Sequence, residues 1–225
     1  IDLSVDFQHV HKKILMKFVT ILATRSKALH VKTLHSILRM NLKCIQAGET
    51  QNEIIYVADD PYEKSEIISK QLKRTDIDRV FFVDFGVHVD EDSLACAFKP
   101  HEGLGVVVFP AVREGVDWKM FKDNVLANSA EPVSQMGLHF DTEVNNRVSD
   151  EMYTVKATEP KCWLMMTKHV RKKVSAKVHP NPRTMFDKLK ESGVKIQAYV
   201  DARLTITYTH ECVSNIMNAA GVKTT

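Results

Sequence analysis

Three groups of residues able to do chemistry each follow an apolar run. Thr24-Arg25 follows Phe18 to Ala23, Asp59-Asp60 follows Ile54 to Ala58, and Asp84 follows Val80 to Val83. A carboxylate can bind a cation, accept hydrogen bonds or take up a proton, and an arginine pairs with anionic oxygens. The stretch Asp78 to Asp90 organises the rest. Val80-Phe-Phe-Val83 is wholly apolar, β-branched and aromatic, and reads as a strand buried on both faces. Asp84 ends it, and Gly86 allows a sharp turn and a close approach. Open α/β sheets place their ligands at such a strand end.

The elements that must position these groups alternate. Lys17 to Ala23 reads as a first strand. A helix follows from Lys27 to Cys44, with Ser26 as its N-cap, Leu34, Ile37, Leu38 and Leu42 at helical spacing, and Gly48 as its stop. Glu53 to Ala58 reads as a second strand. Pro61 opens a second helix through Ile67, Ile68 and Leu72, before the central strand. Asp92 or Ser93 is the expected cap of the next helix. The pattern β-α-β-α-β-α predicts an α/β fold with a doubly wound, mostly parallel central sheet flanked by helices. Its parallel strands bring Thr24-Arg25, Asp59-Asp60 and Asp84 to one edge. Gly105 to Pro110 reads as a fourth strand. From 111 to 159 there is no clear period, apart from a strand near Met152 to Val155. Further strands are expected at Cys162 to Thr167, Lys195 to Val200 and Leu204 to Tyr208. His179 to Arg183 reads as a rigid loop, and Met185 to Ser192 as a short helix stopped by Gly193. Thr209-His210-Glu211 is expected to close the sheet.

Composition fits one domain: 225 residues, 44% hydrophobic and 26% charged. We divide it into an N-terminal arm over 1–15, a domain over 16–212 and a C-terminal helix or tail over 213–225. No apolar run reaches the ~18 residues of a membrane span. Lys12 to Ala23 faintly resembles a signal peptide, but Lys17 interrupts it, and we read a buried strand behind a leader. A cytoplasmic location is the expectation. Cys44, Cys96, Cys162 and Cys212 form no CxxC pair, which argues against a zinc site or a disulfide scaffold. A net charge of +3 is too small to imply nucleic-acid binding.

The pattern resembles the nucleotide-sugar glycosyltransferases of the GT-A fold. Asn52 to Asp60 looks like the strand ending in that family's acidic uridine-binding loop. Arg79 to Asp84, with Asp92-Ser93-Leu94 behind it, looks like the strand bearing the DxD metal motif. Met185 to Arg203, including Lys190-Glu-Ser-Gly-Val-Lys-Ile196, resembles its late helix-Gly-strand unit. The whole chain is also similar to capsid-glycan glycosyltransferases of the large chlorella viruses, which implies a viral protein in the host cytoplasm. The resemblance implies a GT-A-like fold and transfer of a hexose or deoxyhexose, of glucose or rhamnose type, from a UDP-sugar to a glycan or glycoprotein acceptor. It implies Mn²⁺ or Mg²⁺ on the diphosphate, held by Asp84 and His210. It assigns nucleotide contacts to Thr24, Arg25, Asp59, Asp60, Phe85 and Gly86. The second aspartate of DxD is Gly86 here. The literal Asp76-Ile77-Asp78 precedes its strand and belongs at the opposite edge.

A base to deprotonate the acceptor is sought among Asp141, Glu143 and Asp187, the first and last being the preferred catalytic candidates. Plainer roles compete. Asp60 could merely cap the helix at Pro61, Asp84 could cap or turn, and His210 could be structural. Trp118 and Trp163 could be core rather than sugar platforms, and Lys168 to Lys173 a solvated face. Val83-Asp-Phe-Gly86 lacks the other kinase motifs, and no GxGxxG is present. A nucleotidyltransferase and a non-catalytic carbohydrate- or nucleotide-binding module remain as alternatives.

Overall fold

The computed structural model of the chain describes residues 16–207, apart from 49, 114 and 175–176. The arm over 1–15, the tail over 213–225, Cys212 and His210 lie outside the described residues.

In chain order the elements are β1 (Met16–Thr24), α1 (Val31–Ala47), β2 (Thr50–Ala58), α2 (Pro61–Lys73), β3 (Arg79–Val83), β4 (Val87–Val89), α3 (Glu91–Cys96), β5 (Val106–Val108), α4 (Trp118–Leu126), β6 (Thr142–Arg147), β7 (Met152–Thr158), β8 (Cys162–Met166), α5 (Thr167–Arg171), α6 (Pro182–Glu191), β9 (Ile196–Tyr199) and β10 (Leu204–Ile206). Among the described residues the main sheet has 8 strands in the order β2-β1-β3-β8-β5-β9-β7-β6. Strands β2, β1, β3, β5, β9 and β6 run one way; β8 and β7 run against them. The sheet is thus mostly parallel, as expected, with two reversed strands let into it.

Alternation along each strand sorts side chains between two helical layers. Val19, Ile21, Val80, Phe82, Trp163 and Met165 pack with Ile68 and Leu72 of α2 and Met185, Phe186 and Leu189 of α6. Phe18, Leu22, Phe81, Val83 and Leu164 face the other way, onto Ile37 and Met40 of α1 and Leu94 of α3. The indole of Trp163 stacks on Phe82 at 5.1 Å and is 2% exposed, so it packs as part of the core. Trp118 packs edge-on against Phe121 of its own helix.

Some local expectations need correction. Ser26 does not cap α1: it sits in a turn at φ 49, and His30 is the N-cap, its ring accepting from Lys32 N–H. The cap of α3 is Asp90, ahead of the expected Asp92 or Ser93 in the chain. β10 does not join the main sheet; it pairs antiparallel with β4 in a separate two-stranded sheet. α4 and β6 carry little periodic signal, because β6 is an edge strand whose residues after Thr142 are exposed. Among the described residues, no helix is long and apolar enough to cross a membrane.

Candidate functional site

β1 lies between β2 and β3, with Thr24 opposite Ala58 and Leu22 opposite Val83. This register brings Arg25, Asp59 and Asp84 to one sheet edge, as the sequence predicts. There they form a chain of alternating charge. Arg25 Nε donates to Asp59 Oδ2 at 2.6 Å, and Lys64 Nζ donates to Asp59 Oδ1 at 2.6 Å. The same ammonium lies 3.7 Å from Asp84 Oδ1, and Lys161 Nζ lies 4.0 Å from Asp84 Oδ2. The Lys64, Lys161 and Asp84 side chains are 16%, 18% and 16% exposed, so solvent screens them less than surface charges. Burial works to raise the Asp59 carboxyl, but the hydrogen bonds from Lys64 and Arg25 outweigh it and hold its pKa below the usual value.

Local sequence explains each placement. Asp60 is the N-cap of α2, its carboxylate accepting from Glu63 N–H at 2.8 Å, with Pro61 next. Asp60 is therefore taken up by the helix, and Asp59 alone of the pair turns to the charge chain. Lys64 stands in the first turn of α2, which starts at this edge. Thr24 donates its hydroxyl to Val57 O at 3.1 Å, a strand-to-strand bond. Phe85 lies beneath the Arg25 guanidinium, 5.2 Å from ring centroid to carbon. Gly86, at φ 72, carries the turn into β4. The literal aspartates are at the far edge: Asp76 pairs with Lys17 and Arg74, and Asp78 accepts from Lys17 N–H.

A cleft of about 310 Å³ opens beside this chain, at the low end of the range for ligand pockets. Lys64, Asp84, Arg113, Asp141, Glu159, Lys161 and His179 supply its charged and titratable lining, and Phe82, Trp163 and Met185 are among its apolar lining. Asp141, 2% exposed, stands in its wall. Its Oδ1 accepts from Ala111 N–H (3.1 Å) and the Thr142 hydroxyl (2.7 Å), and its Oδ2 from Lys161 N–H (3.2 Å). Burial pushes its carboxyl up to about 6, against the pull of those three donors. It thus ties the chain after β5 to the start of β8 while facing the cleft. The thiol of Cys162 behind it is pushed well up by burial and by the charges of Asp141 and Asp84, which leaves it unreactive. Asp187 is half-buried on α6 and is not part of the cleft lining, whereas Pro182 and Met185 of that helix are. Glu143 lies on exposed β6 and pairs with Lys156 at 3.1 Å. Within the basic run over 168–173, Arg171 reaches Arg74 O and Lys173 reaches Gly193 O, while Lys168 and Lys172 are exposed.

Whether a divalent ion fits turns on Asp84. Its Oδ1 is buried and accepts no hydrogen bond, which suits a cation ligand. Among the described residues no three His, Cys, Asp or Glu side chains gather into a metal site. The Lys64 ammonium stands 3.7 Å from this same oxygen and would have to give way to an ion there, and His210, the expected companion of Asp84, is outside the described residues.

Sequence reading missed Lys64, Lys161, Arg113 and His179. Lys64 was findable, since the first turn of a helix that Asp60 caps must lie at the same edge. Lys161 was not: it reaches the edge because β8 runs antiparallel and starts where β3 ends, Val83 opposite Cys162.

No protein-family model matches the chain, and no curated protein matches it by sequence. Solved structures do. A197 from STIV superposes with a TM-score of 0.52 at 9% identity, over 88% of this chain and 97% of that one. The inositol-1-phosphate CTP transferase from T. maritima gives 0.48 at 11% identity, over 94% and 97%. S. aureus TarS 1-349 gives 0.49 at 14% identity, over 92% of this chain and 65% of that one. Identities this low speak to the path of the backbone and to nothing finer, and on that ground the chain has a GT-A-like α/β fold with a mostly parallel central sheet.

Proposed function

We propose that the chain is a glycosyltransferase that moves a hexose or deoxyhexose, of glucose or rhamnose type, from a UDP-sugar to a glycan or glycoprotein acceptor. One observation carries this reading: Arg25, Asp59 and Asp84 leave three adjacent parallel strands at one edge and are linked through Lys64, and of this group Lys64, Asp84 and the neighbouring Lys161 line a cleft. Ligands of open α/β sheets bind at such an edge. Under this reading Asp59 and Arg25 hold the ribose and base, with Phe85 under the guanidinium. The ammonium groups of Lys64 and Lys161 take the diphosphate oxygens, where a half-dry setting strengthens them. Mn²⁺ or Mg²⁺, when bound at Asp84 with His210, would supply a Lewis acid for the leaving diphosphate. Asp141 is a cleft carboxylate that burial raises to about 6. Under this reading it receives the acceptor's hydroxyl proton as one of its present donors gives way.

A nucleotidyltransferase is the second reading. Two lysines around one carboxylate suit the greater charge of a nucleoside triphosphate as well as that of a diphosphate. Release of UDP from UDP-glucose or a UDP-deoxyhexose in the presence of a glycan acceptor supports sugar transfer. Release of pyrophosphate from UTP and glucose 1-phosphate supports the second. Nucleotide binding with neither release leaves a binding module, and no binding of UDP, GDP or CMP with or without Mn²⁺ overturns both.

A further inference from the structure

A line of buried hydroxyls continues from Asp141 into the fold. Thr142 opens β6 and Thr158 closes β7, and the two stand opposite each other across that antiparallel pair. Thr142 Oγ1 lies 2.7 Å from Asp141 Oδ1 and 2.7 Å from Thr158 Oγ1. Asp141, Thr142 and Thr158 thus form an unbroken row, at 2%, 8% and 3% exposure. The rest of β6 is exposed, so its one buried side chain is the one in this row.

A hydroxyl has one hydrogen, and its oxygen accepts as readily as it donates. With Asp141 ionised, Thr142 gives its hydrogen to Oδ1. The bond between the two threonines must then take its hydrogen from Thr158. With Asp141 protonated on Oδ1, the order reverses: the carboxyl donates to Thr142, and Thr142 donates to Thr158. Both contacts of 2.7 Å remain hydrogen bonds in either state. The other two partners, Ala111 N–H and Lys161 N–H, cannot turn round, because a backbone N–H only donates. Fixed donors alone would leave the carboxyl's own hydrogen without an acceptor in a buried site, which is costly. The hydroxyl row supplies that acceptor.

We propose that Thr142 and Thr158 are positioning residues for the Asp141 proton, a two-hydroxyl relay whose direction reverses as the carboxyl gains or loses it. Its use in catalysis rests on the reading of Asp141 as the acceptor's base; the relay itself is a property of the fold. Other groups also set the proton affinity of Asp141. Lys161 lowers it through its charge as well as its N–H. Lys64, Asp84, Arg113, Glu159 and His179 share the cleft lining, and the Cys162 thiol lies behind. Substitutions at Thr142 and Thr158 leave all of these in the chain, so differences between variants read the hydroxyls.

The test is a carboxyl-carbon NMR titration of the full chain, with the Asp141 signal identified by its loss in Asp141→Asn. Thr142→Val removes the hydroxyl on Oδ1 and should raise the Asp141 midpoint by about one pH unit, the worth of a hydrogen bond to a charged group. Thr158→Val still lets Thr142 serve the ionised carboxylate but denies it an acceptor when Asp141 is protonated. Its midpoint should therefore fall. Thr142→Ser keeps the hydroxyl and should restore the wild-type value. A pair that serves only to join β6 to β7 would change stability and leave the midpoint in place. An unchanged midpoint in Thr142→Val, or one that rises in Thr158→Val, overturns the relay. Should Thr142→Val not fold, Thr158→Val decides: an unchanged or raised midpoint overturns the proposal. The pH dependence of sugar transfer should follow the same shifts. Midpoints that move as expected in a chain without transferase activity support the relay and count against the sugar-transfer reading alone.

Discussion

The Lys64 ammonium of α2 lies 2.6 Å from Asp59 of the β2 exit and 3.7 Å from Asp84 of the β3 exit, so one cation joins the carboxylates of two strands. The strands themselves are not neighbours, since β1 lies between them. The helix after β2 thus closes over the edge that the strands build. An ammonium shared unequally between two carboxylates is placed to swing toward a third anion, such as a phosphate oxygen.

Replacing Lys64 by Met keeps the stem and removes the charge. Asp59 would retain Arg25, so the loss of stability should be about 1–2 kcal/mol rather than the larger cost of stranding a buried charge. UDP affinity should fall at least tenfold, because a charge-assisted bond to phosphate is lost. Denaturant melts and calorimetry with UDP read the two effects separately. Unchanged affinity would remove Lys64 from the nucleotide site.

Asp84→Asn keeps shape and removes charge beside the buried Oδ1 that lacks a hydrogen bond. If this atom holds the ion, the rise in melting temperature that UDP and Mn²⁺ give together should vanish, while any rise from UDP alone should persist. A Mn²⁺-dependent rise that survives in Asp84→Asn would move the ion away from this residue.

The central run from Val80 to Val83 and its terminal aspartate could be read from sequence, because a strand buried on both faces has an unbroken apolar signature. The meeting of Arg25, Asp59 and Asp84 followed from parallel β-α-β order alone. Lys161 and Arg113 did not, since they come from a reversed strand and from a loop beyond a three-residue strand. Asp141 could be named a candidate base but not located, because the hydrogen bonds that hold it come from residues far apart in sequence. Asp187 was named from resemblance, yet only its helix's first turns reach the cleft wall.

Gly86 stands at φ 72 in the turn after Asp84, where a β-carbon is strained. Gly86→Ala should cost about 1–2 kcal/mol by the left-handed penalty. It should also lower nucleotide affinity, because the same turn aims Asp84. Chemical denaturation and UDP titration of this variant are the checks. A stability loss without any change in affinity would confine the glycine to a folding role.

Asp141 gives the fold a dependence on pH opposite to that of Asp59. Its folded carboxyl is raised to about 6, so between the ordinary carboxylate value and that point the folded state holds a proton that the unfolded state has released. The stabilising contribution is therefore complete in acid and is lost as pH rises from about 4 to about 6, by about 3 kcal/mol at most. Asp59, held below its usual value, contributes in the other sense: its stabilisation is present above the ordinary carboxylate value and is lost as pH falls through the folded one. Asp141→Asn should flatten the stability profile between pH 4 and 6, whatever its effect on absolute stability. Denaturant unfolding at several pH values measures both slopes. If Asp141 is also the base, activity should rise through the same pH range in which stability falls, because the deprotonated form costs the fold and serves the reaction. A stability profile identical in the wild type and Asp141→Asn would show that this carboxyl keeps an ordinary proton affinity, and would remove it as the base poised near neutrality.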